Sequence, residues 1–166
     1  MLPIELLFRH LNEARARYVV VGGLAVVLHG HLRATGDVDL IVDLAPEQVD
    51  RTLAALDQAG FRPYLPVPAR DFADPAKRAA WAREKGMLVF SLRPLDGVPM
   101  VDLFVEYPIP FDGLWDRSVV VQVRGVPVRI ASIQDLITLK RRAGRPEDLA
   151  DVEALAEIAR LRAGDS

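Results

Sequence analysis

Apolar and polar positions follow two periods along this chain, and the switches between them mark out its elements. Between residues 3 and 16, Leu6, Leu7, Leu11 and Ala14 recur at helical spacing with charges between them, which predicts an opening helix. Tyr18 to Val21 is a short apolar run that reads as a strand. Gly22-Gly23 then allows a tight turn and close backbone approach before a short helix from Leu24 to His29. Asp37 to Val42 alternates acid and aliphatic residues and predicts a second strand. Pro46 suits the first turn of a helix that Gly60 stops after about Ala59. From Phe61 to Asp74, Pro63, Pro66 and Pro68 crowd the chain, with Pro75 following. Proline fixes φ and removes a donor, so this stretch reads as a loop serving as lid or specificity segment.

The second half repeats a hairpin pattern. After a short helix from Ala76 to Glu84, the runs Met87 to Leu92 and Met100 to Val105 flank Asp96-Gly97, a strong hairpin turn. Ser118 to Val123 and Val126 to Ile130 flank Arg124-Gly125, and Pro127 points to an edge strand. Ser132-Ile-Gln-Asp135 has the form of a capping box, opening a helix to Ala143 that Gly144 ends. Pro146 starts a last helix that runs to about Ala163. This order predicts an α/β (α+β) fold with a mixed β-sheet flanked by helices. Residues 1–131 form the core of one compact unit, and 132–166 form a helical cap packed on it.

Composition narrows the function classes. The length of 166 residues suits one domain, and 51% hydrophobic residues suffice for a core. The net charge of -2 gives no global basic field for polynucleotides, although a local patch remains compatible with it. There are no cysteines, which removes disulfides and thiolate metal sites. The N-terminal stretch resembles a signal peptide only superficially, because Glu5 and Arg9 interrupt it and no positive region precedes it. No apolar run reaches membrane-spanning length. A cytoplasmic protein with no membrane partner is expected.

The chemistry gathers on three acids. Residues two apart on a strand share a face, so Asp37 and Asp39 project together while Val38, Leu40 and Val42 face the other way. Adjacent carboxylates repel, and a cation between them relieves the cost. Hard oxygen donors of this kind suit Mg²⁺, which keeps several waters and takes further ligands from substrate phosphates. Asp102 stands among apolar residues of a later strand. If that strand lies beside Asp37 to Val42, it completes a three-carboxylate set able to hold two ions roughly 3.5–4 Å apart. Gly22-Gly23 would then present backbone N–H groups to a triphosphate. Asp43 and Glu106 end their strands and read as solvated.

The string Gly22-Gly23, a gap, Asp37-Val-Asp39 and then Asp102 resembles the nucleotidyltransferase superfamily of DNA polymerase β type. The fuller string of Gly23, Ala25, His29, Gly30, Arg33, Thr35, Asp37 and Asp39 is similar to small bacterial nucleotidyltransferases related to the AbiE-type toxin component. Leu136 to Lys140 followed by Arg145, Asp148 and Asp151 fits the same relatives in type and order. The resemblance implies transfer of a nucleoside monophosphate from an NTP, with Asp37, Asp39 and Asp102 as catalytic metal ligands. It also implies Gly22, Gly23, Arg33, Thr35, Lys140, Asp148 and Asp151 as nucleotide-binding residues, two Mg²⁺ ions, and a protein antitoxin as partner. The chain is much shorter than full AbiE-type toxins, so their acceptor is not carried over. A tRNA end, a protein hydroxyl and a small molecule all stay open.

Other readings stand beside these. Gly22-Gly23 also serves as a plain strand–helix turn, and His29 more often packs than ligates. Arg33 and Thr35 suit structural hydrogen bonding as well as substrate contact. Lys140-Arg141-Arg142 has the pattern of a solvated helix face, and Asp148 suits a helix first turn through the macrodipole alone. Trp81 and Trp115 read as packing residues. A catalytically silent nucleotide-binding module and a metal-dependent phosphohydrolase are the rival functions.

Overall fold

The computed structural model describes residues 2–165. Seven strands form one mixed sheet in the order β3-β4-β5-β2-β1-β7-β6. In the chain these are β1 (Tyr18–Val21), β2 (Asp37–Val42), β3 (Arg62–Pro63), β4 (Val89–Arg93), β5 (Met100–Phe104), β6 (Val119–Val123) and β7 (Val126–Ile130). The helices are α1 (Pro3–Glu13), α2 (Gly22–Leu28), α3 (Pro46–Gln58), α4 (Pro75–Lys85), α5 (Phe111–Arg117), α6 (Ile133–Ala143) and α7 (Pro146–Gly164).

The centre of the sheet positions the site. β1 runs antiparallel to β2, with Val21 opposite Asp39, while β5 runs parallel on the other side of β2. Alternation decides what each face carries. Val38, Leu40, Val101, Leu103, Phe90 and Leu92 point to one face and are buried almost completely. The amphipathic α1 and α3 supply the rest of this core, with Leu7, Phe8, Leu11, Val49 and Leu56 fully buried. On the opposite face of β4 and β5, Val89, Ser91, Met100, Asp102 and Phe104 are only half-buried. α6 packs against both α2 and α7.

Local chemistry explains the boundaries. Ser132 Oγ accepts the Asp135 N–H at 3.1 Å, so the predicted cap opens α6, and left-handed Gly144 closes it. The predicted strands β1 and β2 hold to the residue, and both hairpins form.

Several expectations need correction. The proline-rich stretch from Phe61 to Asp74 is not a plain loop. It contains β3 and a 3-10 turn over Ala69–Ala73. Phe72 is fully buried there and its carbonyl accepts Arg78 Nη1 at 2.5 Å, which ties the segment down. α5 was not expected, and α2 begins at Gly22 rather than Leu24. Pro127 does not mark an edge: β6 is the outer strand, and β7 pairs with β1 only at Ile130, which leaves Pro127 free of a ladder bond on that side. Asp43 is not solvated, because it pairs with Arg17 at 2.7 Å and accepts the Ala45 N–H. Among the described residues, no helix is long and apolar enough to cross a membrane.

Candidate active site

The parallel pairing of β2 with β5 sets Asp39 directly beside Asp102, on strands spaced about 4.8 Å apart. Asp37 lies two residues along the same face, opposite Met100, and is exposed. The three predicted acids therefore share one patch of the sheet. Burial first, then repulsion from Asp102 and Asp37, pushes the Asp39 carboxyl up from 3.8 to about 6. Burial also raises Asp102, and Asp37 adds to it. The Ser91 hydroxyl partly opposes the rise, donating to Asp102 Oδ1 at 2.5 Å from the directly opposed position on β4. Asp39 and Asp102 thus sit in a site that penalises their charge.

Gly22 forms the roof. Its φ of +67° requires glycine, and a Cβ there would lie 2.1 Å from Asp39 Oδ2. A side chain at position 22 would fill the space that the carboxylate uses. Gly23 faces the other way: a Cβ would meet Arg33 Nη2 at 2.7 Å and Thr35 Oγ1 at 2.8 Å. Arg33 and Thr35 therefore back the start of α2. Arg33 Nη2 also reaches Asp151 at 2.9 Å, and its buried Nε has no hydrogen-bond partner among the described residues.

Facing Asp39 across a cavity of about 140 Å³ are Lys140 and Arg145, with Val21, Gly22 and Phe104 in the wall. Lys140 is almost buried and shares its charge between Asp148 at 3.3 Å and Asp151 at 2.9 Å. Arg145 Nε reaches Asp148 at 2.8 Å. Burial alone would raise Asp148, but its bonds to Arg145 and Lys140 outweigh that and hold it below the ordinary range. The network Arg33, Lys140, Arg145, Asp148 and Asp151 contains three cations and two carboxylates. Arg145 also pairs with Glu147 at 3.3 Å, so the network carries no net charge, and Lys140 and Arg145 are its cations nearest Asp39.

The structure thus brings Gly22, Asp39, Lys140 and Asp148 to one cavity, with Asp102 alongside Asp39 and Asp37 at the outer end. Gly23, Arg33, Thr35 and Asp151 stand behind that layer. His29 packs, with Nε2 2.7 Å from the Ala131 carbonyl oxygen, and its buried ring is held below the ordinary histidine range. Trp81 stacks on Phe90. Sequence reasoning missed Ser91, although its place as the polar residue between Phe90 and Leu92 was a period-2 signal. Phe104 was missed too.

Among the described residues, no three His, Cys, Asp or Glu side chains are grouped to hold a metal ion by themselves. The donor chemistry nonetheless fits Mg²⁺: hard oxygens, mutual repulsion that a cation relieves, and an open side for water and phosphate.

A mixed sheet with in-register acids beneath a glycine turn defines a nucleotidyltransferase-type fold. The chain belongs to the family described as "Nucleotidyltransferase of unknown function (DUF6036)", which matches residues 3–163. No curated protein sequence is close enough to match. Solved structures of similar fold include the antibiotic-resistance factor ANT(2'')-Ia, with TM-score 0.60 and 16% identity over 98% of this chain and 88% of that one. The lincomycin-bound lincosamide antibiotic adenylyltransferase LnuA gives 0.56 and 15%, over 89% and 90%. An antigenic nucleotidyltransferase-like protein from Paracoccidioides brasiliensis gives 0.57 and 17%, over 95% and 74%. At these identities the likeness is one of fold.

Proposed function

We propose that the protein transfers a nucleoside monophosphate from an NTP to a hydroxyl-bearing acceptor, with Mg²⁺ bound at Asp37, Asp39 and Asp102. The observation that carries this reading is the register of Asp39 with Asp102 beneath Gly22. When bound, Mg²⁺ offsets the charge that builds on the transferring phosphoryl group and makes the acceptor hydroxyl easier to deprotonate. Asp102 has one oxygen held by Ser91, which fixes the carboxylate and leaves its other oxygen free to face the metal and the acceptor hydroxyl. Gly22 leaves room for the triphosphate at the start of α2, and Gly23 lets Arg33 and Thr35 pack behind that turn. Lys140 and Arg145 supply positive charge from the opposite wall. Arg33 and Thr35 hold the turn, while Asp148 and Asp151 hold Lys140. Catalysis by this set is mostly positioning and charge neutralisation.

The test is incubation of the protein with each α-³²P-labelled NTP and Mg²⁺, in cell extract and alone. Label moving onto RNA, protein or a small molecule supports the reading and names the acceptor class. Pyrophosphate release without any acceptor would replace it with hydrolysis, and metal-dependent NTP binding without turnover would replace it with a silent binding module. The neighbour ANT(2'')-Ia is described in complex with adenylyl-2''-tobramycin, which favours including aminoglycoside-like polyols among the small acceptors.

The string from Gly23 to Asp39 supports a second reading, a cytoplasmic toxin with a protein antitoxin. Induced expression should then arrest growth, Asp39→Asn should abolish the arrest, and a neighbouring gene product should relieve it.

A further inference from the structure

A second cavity, of about 360 Å³, opens where β1 begins, at the opposite end of that strand from Gly22. Tyr18 lines it, and Val21 lines the catalytic cavity, so about 10 Å of strand separates the two. They share no residue. Its wall carries three arginines, Arg15, Arg17 and Arg129, around Trp115, and no acidic side chain.

The charges in this wall are only partly answered. Arg17 is paired with Asp43 at 2.7 Å. Arg129 donates to Ser118 Oγ at 3.0 Å, and among the described residues no carboxylate stands within ion-pair distance of it. The Arg15 side chain has no hydrogen bond or ion pair among the described residues. The guanidiniums of Arg17 and Arg129 lie over the Trp115 ring, at 4.7 and 4.1 Å from its centroid. That ring is therefore occupied by cations and is not a free platform for a nucleobase. The remaining polar groups satisfy each other: Tyr18 OH donates to Asn12 Oδ1 at 2.9 Å, and Asn12 Nδ2 donates to the Pro127 carbonyl at 2.8 Å.

Arg15 adds an independent observation. It follows α1 with φ 55°, the left-handed position that ordinarily falls to glycine after a helix. The backbone there is well bonded, with Ala16 N–H reaching the Leu11 carbonyl at 3.0 Å. Glycine would make the same turn without strain, so an arginine stands here against its backbone preference.

We propose that this cavity is a distal binding site for a small phosphorylated molecule, held through its phosphate by the guanidinium forks of Arg15 and Arg129. Two guanidiniums without a carboxylate partner among the described residues match a dianionic phosphate, and paired N–H donors match its oxygens. The volume lies at the small end of ligand pockets, which run from about 300 to 1,000 Å³.

The chain has two tryptophans, Trp81 and Trp115. Trp81→Phe therefore leaves Trp115 as a fluorescent reporter inside the cavity. In that background, inorganic phosphate and AMP are titrated at constant ionic strength without Mg²⁺, beside the double variant with Arg15→Gly. We expect a saturable change in Trp115 emission, with binding at least about tenfold weaker in the Arg15→Gly variant. Its melting temperature should not fall, because glycine suits φ 55°. Saturation by phosphate alone would mean that the phosphate group suffices; tighter binding of AMP would mean that the rest of the molecule contributes. No saturable change, equal binding in the Arg15→Gly variant, or a response only to an RNA oligonucleotide would overturn the proposal.

Discussion

Replacing Asp39 with asparagine should make the metal-free protein more stable while removing its activity. Asp39 is ordinarily a carboxylic acid of pKa 3.8, and in the fold burial and the neighbouring Asp102 and Asp37 carry it up to about 6. A folded-state pKa above the unfolded one means that ionisation opposes folding. Well below pH 3.8 the group is protonated in both states and exerts no penalty. Between pH 4 and 6 the unfolded chain releases its proton first and stability falls; above pH 6 the full penalty holds. The gap of about two pH units, at about 1.4 kcal/mol each, sets an upper limit of about 3 kcal/mol. For a chain of this size that corresponds to roughly 6–12 °C in melting temperature. Thermal melts followed by circular dichroism in EDTA, wild type beside Asp39→Asn, measure it. The two should coincide near pH 4.5 more closely than at pH 7.5, where the variant should melt higher. A variant that melts at or below the wild type at pH 7.5, or a difference that ignores pH, would refute the reasoning.

Further outcomes follow from the same contacts. Ser91→Ala removes the bond that opposes the rise of Asp102, so the acidic limb of the pH profile of kcat/KM should move to higher pH, and Ser91→Thr should restore it. Gly22→Ala places a Cβ 2.1 Å from Asp39 Oδ2 and strains φ at +67°; initial rates should fall at least about 100-fold. Asp151→Ala strips Arg33 of its buried carboxylate and leaves Lys140 with Asp148 alone, and urea denaturation should register a loss of about 3 kcal/mol.

The first strands were legible because glycine and alternation are local signals. Gly22-Gly23 bounds β1, and Asp37, Asp39 against Val38, Leu40 reads as a two-faced strand whatever its neighbours. Ser132 and Gly144 mark α6 by hydrogen bonds made within a few residues. The pairing of Asp102 with Asp39 was only conditional, since a parallel ladder between distant segments leaves no mark in either one. β3 is two residues long and exists because β4 offers its edge, so no pattern within Arg62-Pro63 announces it. α5 is a single short helix interrupted by Gly113, without a side-chain cap. Arg33 and Thr35 could be read two ways from sequence, and it took their packing on Gly23 to place them behind the cavity. Lys140 could be read as a phosphate contact or as part of a solvated basic run, and its burial between Asp148 and Asp151 depends on tertiary pairing that no local pattern records.

The measurement that bears most directly on the account compares α-³²P-labelled with γ-³²P-labelled NTP on the acceptor identified from extract, for wild type, Asp39→Asn and Asp102→Asn. The account predicts that α-label moves to the acceptor, that γ-label leaves in pyrophosphate, and that each substitution reduces transfer at least about 1,000-fold with the fold intact. Transfer of γ-label, or α-label transfer undiminished in both variants, would contradict it.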